Sequence, residues 1–345
     1  MLRPVTARTA DVLNLSFCGC GFLGIYHLGV ANCLVKHGQT LLSRVHRVGG
    51  ASAGSLIAAA IVCARDKIQE CIQFCYNLSR EVNSKPLGAL TPGYSIMDPL
   101  KLFLQEYLPP DAHEQATGKL HISMTTARKK KNVIQSEFAS RDELINCLLA
   151  SSYIPVYGGF RPPVIRGHHF YDGGITDNLP GFADGLTIYV SPFSGKQTIS
   201  PTDKAGRNWY LGWGSQDFQV NRNNAVRVIH ALFPPSKSLL KAYYERGIKD
   251  AKAFLRRECC FEENNAEFPP SNLGSTENIL NETIRDQVRR LSLPTNQIQR
   301  VSSTCAVETS PTGTADDDAD GANNDIKDKV KQPVTKHTSI DNTRY

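Results

Sequence analysis

The sequence predicts a layered α/β fold with a mainly parallel sheet, and three observations predict it. Short apolar, strand-like runs take turns with longer runs of helical periodicity. Twice near the amino terminus a strand-like run passes through a glycine-rich turn directly into an apolar helix, the unit from which parallel sheets are assembled. The composition, 41% hydrophobic and 21% charged over 345 residues, is that of a globular chain able to bury a large core.

Taken in order, Val12 to Phe17 (VLNLSF) alternates apolar and polar residues and runs into Cys18-Gly19-Cys20-Gly21-Phe22-Leu23-Gly24, a strand feeding a tight turn. Apolar residues at helical spacing from Ile25 to His37 follow, with Gly38 as the C-cap. His46 to Gly49 reads as a short strand, Gly50-Ala51-Ser52-Ala53-Gly54 as its turn, and Ser55 to Ala64 as a helix apolar all round and therefore buried. The same reading predicts helices over 66–81 and 100–108 and a strand over 120–124. It continues with a helix over 142–151, a strand ending at Phe170-Tyr171, a strand over 186–190, and helices over 226–233 and 236–257.

Charge divides the chain. Residues 1–261 hold 30 Lys and Arg against 19 Asp and Glu, whereas residues 262–345 hold 9 against 14. The second segment is polar, poor in aromatics and carries Asp316-Asp317-Asp318-Ala319-Asp320. It is expected to be a disordered acidic tail with at most a short helix over 279–291, and the domain proper is expected over 12–257. The basic body suits an anionic surface. Its densest cluster, Arg128-Lys129-Lys130-Lys131, lies between two strand-like runs as a hairpin tip, either a solvated turn or a contact for lipid head groups. Nucleic acid is not an expected partner, because no zinc finger, helix-turn-helix or aromatic RNA-binding motif accompanies the charge.

The longest apolar run, Leu56 to Ala64, is far short of the roughly 20 residues that cross a bilayer. Arg3, Arg8 and Asp11 interrupt the first residues, which lack the apolar stretch of a secretory signal, so a cytoplasmic protein is expected. The ten cysteines fit free, partly buried thiols, and with no Cys-x-x-Cys pair neither a metal nor a cofactor is expected.

Gly50-Ala51-Ser52-Ala53-Gly54 matches Gly-x-Ser-x-Gly in the context that motif requires, a strand before and a helix after. Glycines two places either side allow a strained turn that exposes the Ser52 hydroxyl, and the following helix directs its N–H groups toward developing negative charge. Gly19 to Gly24 fits Gly-x-Gly-x-x-Gly, but a dinucleotide site also wants an acidic residue about 20 positions on, and residues 38–47 contain none. The exposed N–H groups of that loop would serve equally as an oxyanion hole. Asp172, on Asp-Gly-Gly after a strand, is the candidate base. At an ordinary pKa of ~3.9 it is weak at neutral pH, so it must be desolvated and close to the hydroxyl, or else be the third member of a triad. The histidines for a triad are His168, His169 and His230. His230 has the chain order Ser, Asp, His but lies on an apolar helical stretch where a packed histidine is the commoner outcome, and Asp177 reads as a turn or capping residue.

Together, the run from Gly19 to His27, Gly50 to Gly54 and Asp172-Gly173-Gly174 resemble the patatin-like phospholipase family. GCGFLGIYHLGV, with Ser191 to Gly195 (SPFSG) and Leu232 to Ser236 (LFPPS), resembles the animal adiponutrin and adipose triglyceride lipase branch, a compact single-domain member above all. Cys20 and Leu23 depart from the broader family, where glycine and a basic residue are usual, and both departures fit that branch. The resemblance covers about residues 12–257. It implies a patatin-type three-layer α/β/α fold with a Ser/Asp dyad acting on neutral lipid or phospholipid esters at a lipid droplet or membrane. By position it makes Ser52 the nucleophile, Asp172 the general base and the backbone of Gly19, Cys20 and Gly21 the oxyanion hole. Gly24, Gly50, Gly54, Gly173 and Gly174 are its motif glycines. Triacylglycerol hydrolysis is the leading expectation. Retinyl ester hydrolysis, phospholipid hydrolysis and transacylation stand beside it, and a catalytically silent lipid-droplet-binding protein is the non-enzyme alternative.

Overall fold

The computed structural model describes residues 6–203, 209–263 and 282–283. The expected acidic tail and its short helix lie outside them apart from residues 262–263 and 282–283.

The chain opens with β1 (Leu13–Phe17), turns through a 3-10 segment into α1 (Gly24–His37) and, after α2 (Gln39–Ser43), returns as β2 (Val45–Ala51) and α3 (Ala53–Cys63). Helices α4 (Ile68–Asn83), α5 (Met97–Tyr107) and α6 (Ala112–Ala116) precede β3 (Leu120–Thr126), which makes a hairpin with β4 (Asn132–Gln135). Then come α7 (Arg141–Ser151), β5 (Val164–Ile165), β6 (His168–Asp172), β7 (Leu186–Val190), the hairpin β8 (Tyr210–Trp213) and β9 (Gln216–Gln219), α8 (Arg222–Leu232) and α9 (Lys237–Arg257).

The sheet runs β5-β6-β3-β2-β1-β7, with β4 also on β3, and β7, β1, β2 and β3 are mutually parallel. Helices cover it in a three-layer α/β/α arrangement, so the predicted fold class holds, and every strand and helix predicted over 12–257 has a counterpart of its type. Five elements were not anticipated: α2, α6, β5 and the β8–β9 pair. All five are two to five residues long, too short for a period to register. The hairpin does carry a local signal, because Gly214-Ser215, at φ 52° and 62°, is the two-residue turn with both central residues left-handed.

The polar–apolar alternation of β1 did not translate into a half-exposed strand. Leu13, Leu15 and Phe17 are fully buried on one face, and Asn14 and Ser16 are fully buried on the other, as befits a central parallel strand covered on both sides. Asn14 offsets part of the cost of burial by donating from Nδ2 to the Asp184 carbonyl at 2.7 Å. The three apolar side chains contribute about 2 kcal/mol each relative to exposure.

Register brings the distant motifs together. On β3, Ile122 and Ser123 pair with Gly50 and Ala51 of β2, and both also pair with β4. β2 and β4 therefore occupy opposite edges. Met124 and Thr125 pair with β4 and also with Asp172 and Tyr171 of β6, so β6 shares the edge of β2 and continues where β2 leaves the sheet. Successive residues of β3 thus hold Ala51 and Asp172, and Ser52 emerges beside the carboxylate. The exposed Arg128 to Lys131 lie in the β3–β4 turn at this same end of the sheet. No helix among the described residues is long and apolar enough to cross a membrane.

Candidate active site

Ser52 joins β2 to α3 at φ 51° and ψ −130°, a conformation that costs a non-glycine residue about 1–3 kcal/mol. The surroundings hold it there. A Cβ at Gly50 would run into the Gly54 backbone and one at Gly54 into the Phe17 carbonyl, which is why the elbow has glycines on both sides. The Ser52 N–H donates to Ser151 Oγ at 2.8 Å, and that hydroxyl donates to the Ser123 carbonyl at 2.7 Å. Ser151, fully buried at the end of α7, is a positioning residue that no local pattern in the sequence marks.

Asp172 ends β6 and is only 5% exposed. Its Oδ1 accepts the Gly174 N–H at 2.7 Å and its carbonyl accepts Thr125 Oγ1 at 2.8 Å. Burial pushes its pKa up, and hydrogen bonds from the Ser52 hydroxyl and the Gly174 N–H pull it partly back, to about 6. A carboxyl with that pKa, in contact with a serine hydroxyl, is a base matched to neutral pH. Gly173 and Gly174 leave room for it, since a Cβ on the first would strike the Ser123 carbonyl and one on the second would stand 3.0 Å from Asp172 Oδ1.

The glycine loop lies against the elbow. A Cβ at Gly19 would sit 3.1 Å from Ser52 Cβ, and one at Gly24 would sit 3.3 Å from Ala53 Cβ. Gly21 has φ 51°, and a side chain there would meet the Ala231 carbonyl of α8. The three loop amides are not equivalent. The Gly19 N–H donates to the Asn178 carbonyl at 3.2 Å, whereas those of Cys20 and Gly21 reach no protein acceptor among the described residues. Asn178, another residue the sequence does not flag, ties three loops together. It accepts from Gly19, donates from Nδ2 to Gln216 Oε1 at 2.7 Å, and donates its N–H to the Gly214 carbonyl at 2.7 Å.

The histidines lie elsewhere. His230 is buried against α9, its Nδ1 2.9 Å from the Tyr243 hydroxyl, while His168 and His169 are exposed on β6. Asp177 sits on the turn after β6, its carbonyl accepting Ser123 Oγ at 2.8 Å.

Ser52, Asp172 and the glycine loop form one end of a cavity of about 730 Å³. Phe74 and Leu78 of α4 and Leu100, Phe103 and Leu104 of α5 make one apolar wall, and Leu211, Trp213, Val228 and Leu232 the other. The arrangement offers a hydroxyl beside a buried carboxylate, two unused amides, and an apolar trough for a long hydrocarbon chain.

Behind the loop stand Cys18, Cys20 and His27, all buried and mutually close. Burial raises the Cys18 pKa, but hydrogen bonding to Cys20 and His27 outweighs it and brings it down to about 5, while Cys20 is pushed well above the usual thiol range. The described cysteines are all free.

Residues 15–181 match the family model for patatin-like phospholipase. The chain is 45% identical over 250 residues to patatin-like phospholipase domain-containing protein 4 of Homo sapiens, covering 72% of this chain and 99% of that protein. It is 41% identical over 247 residues to patatin-like phospholipase domain-containing protein 2 of Mus musculus, covering 71% of this chain and 50% of that protein. Omega-hydroxyceramide transacylase of Mus musculus is 38% identical over 244 residues, covering 71% of this chain and 41% of that protein. The chain therefore spans nearly all of the first relative and half or less of the other two.

Proposed function

The chain belongs to the patatin-like phospholipase family, and from that premise we propose that it is a lipid acyl hydrolase cleaving triacylglycerol and related neutral lipid esters through an acyl-enzyme. The observation that carries this reading is the Ser52 hydroxyl beside the buried Asp172 carboxyl in the lining of one apolar cavity. Asp172 takes the Ser52 proton as Oγ attacks the ester carbonyl, and the amides of Cys20 and Gly21 donate to the oxyanion. The departing alcohol takes the proton from Asp172. Water, activated by the same carboxylate, then releases the fatty acid.

A second reading, transfer of the acyl group to an alcohol, is favoured by one feature. The cavity walls are apolar, so a lipid acceptor competes well with water there, and a relative at 38% identity is named a transacylase. Purified full-length protein incubated with trioleoylglycerol, retinyl palmitate or phosphatidylcholine, with products resolved, separates the cases. Free fatty acid is expected fastest from trioleoylglycerol. Faster release from another ester would change the substrate, labelled acyl lipid without free acid would make it a transferase, and no product from any ester would make it a silent binding protein. With a soluble short-chain ester, kcat/KM is expected to rise with pH through about 6, because Asp172 works only when ionised and its pKa is raised to about 6. An acid limb near 4 would exclude it as the base.

Access to an insoluble ester requires a lipid surface, and the rim of the cavity suits one. Leu211 and Trp213, each about 60% exposed, line the cavity with Val228 and Leu232 of α8, and the exposed Trp209 immediately precedes β8. The exposed basic turn stands at the same end of the sheet. On this reading the protein works from the cytoplasm and binds lipid droplets or anionic membranes reversibly, a mode of access that the apolar rim and basic turn support. Trp209 and Trp213 are the chain's two tryptophans, so selectively excited tryptophan fluorescence reports on this region. Emission is expected to shift blue and to be quenched by brominated lipid on adding anionic vesicles, more weakly once Arg128, Lys129, Lys130 and Lys131 are all changed to Ala. Binding without any spectral change would move the docking face elsewhere.

A further inference from the structure

Cys18, Cys20 and His27 stand where β1 gives way to the glycine loop and α1 begins, and one potential ligand atom from each lies within 4.8 Å of the other two. We propose that these side chains form a binding site for a soft divalent cation of the zinc class, held by two thiolates and one imidazole. The site stands on its own residues and does not depend on the ester chemistry proposed for Ser52.

Distances support a coordination site. His27 Nε2 lies 3.7 Å from Cys18 Sγ. Bonds of about 2.3 Å to sulfur and about 2.0 Å to nitrogen, meeting at a tetrahedral angle, put the two ligand atoms about 3.5 Å apart. The pair already stands at one edge of such a tetrahedron. A Cys18–Cys20 disulfide, by contrast, would use neither the imidazole nor its approach to the sulfur.

The ligand chemistry agrees. The cluster contains no carboxylate, so it offers nothing to Mg²⁺ or Ca²⁺ and selects ions that accept sulfur and nitrogen. Two thiolates cancel the charge of a dication, leaving a filled site neutral overall in a region where a net charge would be costly. Binding releases to solvent the protons that the two thiols still carry. His27 Nε2 exchanges its 3.0 Å hydrogen bond to the Cys18 carbonyl for the metal, and the ring proton moves to Nδ1, which has no partner among the described residues. Ser191 Oγ, 3.5 Å from Cys18 Sγ and fixed by the Phe193 N–H at 3.0 Å, supports that sulfur from behind. Cys20 lines the cavity, which gives the ion a way in and a side from which water completes the coordination. A bound ion would clamp the residues either side of Gly19 and stiffen the loop that carries the Cys20 and Gly21 amides.

The test is titration of the reduced, metal-free, full-length protein with Cd²⁺, following the thiolate-to-cadmium charge-transfer absorption in the ultraviolet. One equivalent is expected to saturate the band, Zn²⁺ to displace it, and Zn²⁺ to raise the melting temperature. Cys18→Ala should lose the band, and His27→Gln should weaken binding about tenfold or more. A wild-type protein that takes up no saturable equivalent overturns the proposal whatever the variants do. So does an undiminished band in Cys18→Ala, which would assign the metal to other thiols, or the loss of two thiols without metal uptake, which would make the pair a disulfide.

Discussion

Asp172→Asn is expected to lower turnover of a soluble ester by on the order of 10⁴ while making the protein more stable above about pH 6. Asparagine is nearly isosteric, so its Oδ1 still accepts the Gly174 N–H that Asp172 accepts at 2.7 Å, but it cannot take the Ser52 proton. The stability change has a definite sign. The folded pKa is raised from 3.8 to about 6, so the unfolded state ionises first and the folded protein loses stability as pH climbs through that window. A shift of that size amounts to at most about 3 kcal/mol, which the neutral amide would recover. The melting temperature of the variant should therefore match wild type near pH 4 and exceed it at pH 8. Calorimetry at the two pH values, alongside steady-state rates, checks both halves. Undiminished turnover would point to another base, and a lower melting temperature at pH 8 would mean that the ionised carboxylate is net stabilising.

Gly21→Val is expected to cost on the order of 10² to 10³ in kcat with a smaller effect on KM. Valine is poorly suited to φ 51°, and its Cβ would collide with the Ala231 carbonyl, so loop and α8 must part. The amides that move are those of Cys20 and Gly21, the two with no protein acceptor. Circular dichroism establishes whether the variant is folded before rates are compared. Near-normal turnover in a folded variant would move the oxyanion donors to the first amides of α3.

The reach of the sequence follows from which features are local. A strand, a Gly-x-Ser-x-Gly turn and a helix occupy adjacent residues, so the elbow around Ser52 is legible without tertiary knowledge, as is the Asp172-Gly173-Gly174 turn. Their meeting is not local: it depends on β3 pairing with β2 and β6 along one edge, through Ala51 on Ser123 and Asp172 on Met124. The raised pKa of Asp172 comes from burial that only the assembled fold creates. Ser151 and Asn178 belong to no motif because their work consists of single hydrogen bonds to loops far away in sequence. The Cys18, Cys20 and His27 cluster escapes spacing rules for the same reason, since its histidine reaches the sulfurs from the first turn of α1 across the glycine loop. The hydrogen bond from the Gly19 N–H to the Asn178 carbonyl is likewise invisible in the motif, because it joins residues far apart in sequence.

The central claim is that Ser52 is a nucleophile activated by Asp172, and the most direct measurement is mass-spectrometric location of the adduct formed with a fluorophosphonate probe. A single stoichiometric adduct on Ser52 is predicted for wild type, none for Ser52→Ala, and labelling slowed by orders of magnitude for Asp172→Asn. An adduct on any other residue, or labelling undiminished in Ser52→Ala, would contradict it.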